Sequence, residues 1–383
     1  MFDNQPITQE EIERLRSRIG IDLRIVQHHT IASQDNITWF CNSFGDDNPL
    51  WLDANHTANS RYGCLLAPPA FFFSVVIPSG NLAGGLPGVH SFLGGNDWHF
   101  YKPIRLNTKI RATAKLIDVS EKKSSYSGRS VIQSVEVIYR DEYDELLAIA
   151  KGWSIRVERE AARNSNKYAS IPNPVYTQEQ IKNIEDIAVK RAPRGRKLLY
   201  WDDLKVGDEV WPLAKGPLAR EDMEVYLAAT GNALSTYYKV KYFRRHPAFF
   251  YFDTGTNSME PVSMVNLYDH AAQEVGIPRA YDVGSQRICW LEHMLTNWIG
   301  DDGFLQSINV RLILPNLFGD TQWCRGKIVR LYEHQDQPLV EINVWCENQR
   351  GEHTAEGLAT VRLLSRKVNK NSQTGEVAHS LLS

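Results

Sequence analysis

The chain has 383 residues, with Lys+Arg 43 against Asp+Glu 45 and a formal charge of −2, which excludes a uniformly basic nucleic-acid binder. Hydrophobic residues make up 43% and charged residues 23%, the balance of a globular protein with enough chain for two or three domains. No run approaches the ~18 apolar residues of a membrane span, and the polar start MFDNQPITQEEIERLRSRIG reads as neither a signal nor a transit peptide.

In chain order, SQDNITWFCNSFGDDN predicts a helix ended by Gly45. A second helix, small and apolar, follows in ANHTANSRYGCLLAPPAFFFSVV. WHFYKPIRLNTKIRATAKLIDV then reads as a strand, a proline and a return strand, and SVIQSVEVIYRDE and LLAIAKGWSIRV close a first block at residue 157. Residues 158–198, rich in charge, Asn and Pro, read as a linker with one helix at TQEQIKNIEDIAVKR. Residues 199–366 form a second block, and 367–383 a loose tail without periodicity.

The second block repeats the first. Gly231 ends the helix of REDMEVYLAATGNA as Gly45 ends its counterpart. Ala58 and Gly63 match Ala271 and Gly276, while Pro103 and Lys115 match Pro315 and Lys327 at one constant offset. The turn between the last two strands carries Asp144 in one block and Gly351 in the other. The late runs alternate apolar and polar residues, as half-buried antiparallel strands do. The helix before them is apolar over most of its surface and must be buried. The expected fold is α+β, two copies of a long buried helix wrapped by an antiparallel sheet, able to pair their sheets edge to edge. The five cysteines are odd in number and never spaced C-x-x-C, which predicts free thiols in a reducing compartment. No P-loop, G-x-G-x-x-G, H-E-x-x-H or G-x-S-x-G occurs, which disfavours nucleotide hydrolysis, dinucleotide redox chemistry, zinc proteolysis and serine hydrolysis.

The sharpest local signal is Gly45-Asp46-Asp47-Asn48-Pro49-Leu50-Trp51. By itself it is a helix end followed by a tight turn. With Ala58 on the next helix, Ala67-Pro68-Pro69, Tyr101-Lys102-Pro103-Ile104 and the opening Tyr200-Trp201-Asp202-Asp203-Leu204-Lys205-Val206-Gly207-Asp208 of the second block, the chain resembles the MaoC-like hydratase and dehydratase family of double hot-dog folds. The resemblance covers roughly residues 10–157 and 199–365. It implies reversible addition of water to a 2-enoyl thioester, with coenzyme A as part of the substrate and neither a metal nor a redox cofactor. An Asp and a His share one water in such sites, and a backbone N–H at the start of the buried helix polarises the thioester carbonyl. A cytoplasmic homo-oligomer that binds an acyl-CoA thioester, without a membrane span or a nucleic-acid partner, is the expectation that follows.

The family's His position is occupied by Trp51, which cannot shuttle a proton. In the second block Asn232 follows Gly231, and Met264 falls where the His belongs. Neither copy therefore carries a complete pair. Asp46 is the expected acid–base residue. Among the histidines, His90, in the run LPGVHS, is the preferred substitute over His56 and His99. Asn48, Trp51 and Arg287 are expected to contact substrate, Arg287 through a coenzyme A phosphate or else in an ion pair, while Asp282 and His293 are further ionisable groups of the second block. The insert Tyr237–His246 mixes basic and aromatic residues and is expected to lie over the acyl or nucleotide end of the thioester. A hot-dog thioesterase and a non-catalytic acyl-thioester-binding subunit are the rival readings.

Overall fold

The computed structural model describes residues 6–124, 126–190, 192–233 and 235–367. The tail expected after residue 367 lies outside them. Nine strands form one sheet: β1 (His90–Phe100), β2 (Arg111–Ser124), β3 (Gly128–Arg140), β4 (Leu146–Val157), β5 (Glu209–Lys215), β6 (Phe304–Leu312), β7 (Gln322–His334), β8 (Gln337–Asn348) and β9 (His353–Arg362). Their order is β2-β3-β4-β1-β6-β9-β8-β7-β5, and every pairing is antiparallel. The first four belong to the first block and the rest to the second, so the blocks join edge to edge at β1 and β6, with Ile308 opposite Trp98 and Arg311 opposite Gly95. Pairing removes two open sheet edges from solvent.

The repeat is real in the backbone. Gly45 and Gly231 are left-handed at φ 71° and 73°, Gly63 and Gly276 at 65° and 75°, and Asp144 and Gly351 at 67° and 74°. Asp22 bridges to Lys115 as Glu209 pairs with Lys327, so the segment before the first helix is an irregular counterpart of β5.

Among the described residues the helices of ten or more residues are α1 (Gln34–Phe44), α2 (Gln178–Lys190), α3 (Arg220–Ala229), α4 (Thr236–Arg245) and α5 (Ser285–Ile299). Ser33 caps α1 by accepting from the Asn36 amide at 3.3 Å. All fifteen residues of α5 are buried, and the left-handed Gly300 follows it. The expected long helix of the first block is not present. Its apolar run is broken into Pro69–Phe71, Phe72–Val75 and Gly80–Ala83. Pro78 cannot continue a helix, and the glycines at 80, 84 and 85 favour turns, so the segment folds as separate turns. It still enters the core: Phe72 and Phe73 pack on Trp98 with ring centroids 5.9 and 5.1 Å away. The linker docks on the protein, with α2 as expected and with Arg194 and Arg196 bonded to the backbone of Trp298 and His56. All five cysteines are free. No helix among the described residues is long and apolar enough to cross a membrane.

Gly95 lies at the joint of the two blocks, opposite Arg311. Its φ is +152°, and a Cβ there would lie 2.2 Å from the Val310 carbonyl oxygen and 2.4 Å from the Trp153 ring. Gly95→Ala should therefore cost roughly 2–4 kcal/mol through combined clash and strain. Gly128→Ala, at φ +66° with nothing within 4 Å, should cost only about 1–2 kcal/mol. Urea midpoints of both variants against the parent check the ranking, and equal midpoints would contradict a tight joint at Gly95.

Candidate active site

The run from Gly45 to Ala58 folds as consecutive helix caps. The Gly45 amide bonds back to the Cys41 carbonyl and ends α1. Asn48 caps the turn Pro49–Leu52 by accepting from the Leu50 amide at 3.0 Å. Asp53 caps Ala54–Ala58, accepting from the Asn55 and His56 amides at 2.8 and 3.1 Å. These turns hold Asp46 inward, 3% exposed. One carboxylate oxygen accepts from the Asn48 amide at 3.0 Å, and the other accepts from the Trp51 indole N–H at 3.0 Å. Trp51, itself buried, lies between Asp46 and an apolar cavity at the joint of the blocks, lined among others by Ala67, Phe72, Phe100, Thr296 and Phe304.

An imidazole from the other block lies beside Asp46. His293 on α5 places Nε2 3.5 Å from Asp46 Oδ1, without the alignment of a hydrogen bond, and neither ring nitrogen has a protein partner. Phe44 meets the ring edge-on at 6.3 Å. The preceding residue, Glu292, is 1% exposed, and neither of its oxygens has a partner. Lys215 of β5 reaches across from the same side, donating to the Phe44 and Gly45 carbonyls at 2.8 and 2.7 Å. A cation there complements the negative end of α1.

Burial sets the protonation states. It pushes the Asp46 carboxyl up to about 6, against the opposing pull of the Asn48 amide, Lys215 and the Trp51 indole. Burial also raises Glu292 well above the carboxylate range, reinforced by Asp46. His293 falls well below its ordinary value through burial and then through Lys215. The arrangement is a carboxyl pushed up to about 6, a neutral imidazole 3.5 Å from it, and, next to that histidine in the chain, a buried carboxyl held in its neutral form. Such a set can take up and return a proton at one place.

Asp46, Asp47 and His293 each offer a ligand atom, all within 4.8 Å of one another. Lys215 beside them and the donors already on both Asp46 oxygens weigh against a cation there.

The other expected site residues are placed differently. His90, expected on a flexible loop, is buried as the first residue of β1, bonded to the Tyr281 hydroxyl at 2.8 Å and packed on Phe92. Its contacts belong to a different apolar cluster from that of Trp51, so the structure does not bring it to Asp46. Arg287 is 3% exposed and spent internally: it pairs with Asp282 at 2.6 and 3.2 Å and donates to the Leu314 and Thr354 carbonyls. A guanidinium so committed is not open to a phosphate. Beyond capping its own turn, Asn48 donates to Asn297 Oδ1 at 3.0 Å and ties the motif to α5. His56 bonds Asp301 at 2.7 Å, and the exposed His99 lies beside Asp97 on β1. Met264 is partly buried near Tyr281 in the second cluster. Asn232, the counterpart of Asp46, is exposed, and its amide serves only its own helix end. Glu292 and Lys215 were not singled out from the sequence. The signal for Glu292 was two ionisable residues inside the apolar run ICWLEHMLTNWI; Lys215 had none.

Comparison with known proteins bears on the fold that carries these residues. Residues 19–150 match the family model of the FAS1-like, dehydratase domain region. Among solved structures, the chain is similar to a MaoC-like dehydratase at 16% identity and TM-score 0.63, over 92% of this chain and 99% of that one. It is also similar to a MaoC domain protein dehydratase from Chloroflexus aurantiacus J-10-fl, at 12% identity and TM-score 0.55, over 90% and 95% of the two chains. A conserved hypothetical protein from Mycobacterium tuberculosis with a double hotdog fold matches at 12% identity and TM-score 0.50, over 89% and 96%. No curated protein matches. The fold is the double hot-dog, and the resemblance to the MaoC-like family read from the sequence holds.

A buried carboxyl raised to about 6 leaves a mark on stability. The folded protein holds its proton more tightly than the unfolded chain, whose Asp titrates near 3.8. Folding stability attributable to Asp46 is therefore full below pH ~4 and is lost as pH rises to ~6, by about 3 kcal/mol in all. His293, lowered by burial, acts with the opposite pH dependence, so the comparison must be between variants at each pH. Asp46→Asn should match the parent near pH 3.5 and exceed it at pH 7.5 in urea unfolding. Parallel profiles would contradict a buried, titrating Asp46.

Proposed function

We propose that the protein is a hydro-lyase that adds water to a 2-enoyl thioester, a coenzyme A ester by resemblance, or removes it from the 3-hydroxyacyl thioester. The observation that carries the reading is the Asp46–His293 pair, assembled from the two blocks, on a fold and motif of MaoC-like kind. Asp46 accepts a proton from water as its oxygen bonds to C3 of the enoyl group. The same carboxyl returns the proton to C2, so water is added across the double bond with nothing left over. His293, neutral, holds the water through one ring nitrogen. The acyl group takes the apolar cavity beside Trp51. The thioester carbonyl is polarised at the start of the first block's helical turns, where Pro68 and Pro69 have no N–H and Ala70 supplies the first.

A second reading has support from Trp51: its indole N–H is already committed to Asp46, as in a site that binds a thioester without turning it over. Incubation with a panel of 2-enoyl-CoA esters separates the two. Loss of enoyl absorbance marks hydration, free thiol marks hydrolysis, and neither marks a binder. For a hydratase, Asp46→Asn and His293→Gln should each lower kcat by on the order of a hundred- to ten-thousand-fold with little change in KM. The rate should rise as Asp46 ionises, through pH about 6. Trp51→Phe removes a donor that holds the Asp46 pKa down, so this limb should move to higher pH. Unchanged turnover in Asp46→Asn would refute the assignment.

A further inference from the structure

The insert of the second block, absent from the first, folds as α4 followed by the hairpin Phe250–Asp253 and Ser258–Pro261. Two residues one turn apart fasten α4 to the protein. Lys239 pairs with Glu260 at 2.7 Å, and Phe243 packs edge-on against Phe250 with ring centroids 5.3 Å apart. The opposite face carries Tyr237, Tyr238, Lys241, Arg244 and Arg245, all exposed, Tyr237 by 64% and Tyr238 by 61%. The side chains centred on that face are tyrosines and cations, with Val240, exposed by 45%, at its margin. Among the described residues no carboxylate pairs with Lys241, Arg244 or Arg245. Lys241 instead lies over the Tyr237 ring at 4.6 Å. The nearest acids of the insert are already engaged, Glu260 by Lys239 and Asp253 by His270. Phe252 on the hairpin is exposed by 44%.

We propose that this face of α4 docks on an anionic lipid bilayer. Three cations that pair with no carboxylate among the described residues complement a negative surface. Tyrosine, apolar in body and polar at its tip, suits the boundary between headgroups and hydrocarbon. The face is convex, whereas sites for small phosphates are concave and strand-binding sites track a groove. A symmetric second copy would bring like charges together, because a two-fold axis places the same patch on both sides.

The test is flotation of the full-length protein with vesicles. One set is pure phosphatidylcholine, and the other carries about a third of anionic phosphatidylglycerol. Binding to the anionic vesicles alone, weakening as salt rises, is expected. Each cation contributes about fivefold, so K241E/R244E/R245E should lower binding by on the order of a hundredfold or more. Tyr237→Trp should report the contact as a blue-shifted emission with anionic vesicles. None of these residues lines the apolar cavity or touches Asp46, and the far-UV circular dichroism and urea midpoint of each variant, which serve as the folding control, should be unchanged. Failure of the parent protein to float with anionic vesicles would overturn the proposal. So would equal flotation of the triple variant. Capture by an acidic polymer such as polyaspartate as strongly as by vesicles, with no emission shift of the Tyr237→Trp variant on either, would reassign the face to an acidic macromolecule and overturn it as well.

Discussion

The pairing of β1 with β6 is the contact on which the rest depends. Without it there are two small sheets, each with an open edge and one incompletely covered face. With it, nine strands form one surface, and helices of both blocks share one core that contains Trp51 and Met294 alike. The same closure brings the C-terminal end of α1 within reach of α5 and β5. Asp46 and the residues that perturb it thus come from sequence positions about 170 and 250 residues apart, and their geometry is as rigid as the sheet joint.

The polar groups around Asp46 run against the economy of an ordinary core. Glu292 and His293 are buried in the middle of α5 without hydrogen-bond partners, and unpaired buried polar groups typically cost about 1–3 kcal/mol each. A leucine or methionine in those places would pack as well and would avoid that cost. Natural cores tolerate such groups mainly where chemistry requires them. Arg287 makes the contrast. It is just as buried, but all its interactions are internal, with Asp282 and two carbonyls, and it behaves as structural glue. Burial alone does not distinguish the two cases; partner count does.

Much of the fold was legible because it rests on local signals. Alternation gave the late strands, and the left-handed residues at 45, 231, 144 and 351 fell where turn chemistry placed them. The broken helix of the first block was misread because the apolar run was weighed above Pro78 and the following glycines. Asp46 was legible from its motif, while its partner was not. No local pattern says that β1 meets β6, and His293 reaches Asp46 only through that long-range pairing. His90 was misplaced for a related reason: LPGVHS looks like a loop end, yet His90 pairs with Val157 and starts a central strand.

The asymmetry between the two blocks has a physical logic. In a symmetric dimer of identical halves, each substitution is made twice, so a histidine on the buried helix would appear in both sites. Joining the halves in one chain removes that constraint. The first block has Asp46, with Trp51 where the motif it resembles has histidine. The second has Asn232 at the place of Asp46, and its Glu292, His293 and Lys215 act electrostatically on the first block's carboxyl or stand beside it. Its motif region, relieved of that acid, holds the insert with α4. One block thus retains the acid, the other furnishes the groups around it, and neither half alone contains the arrangement.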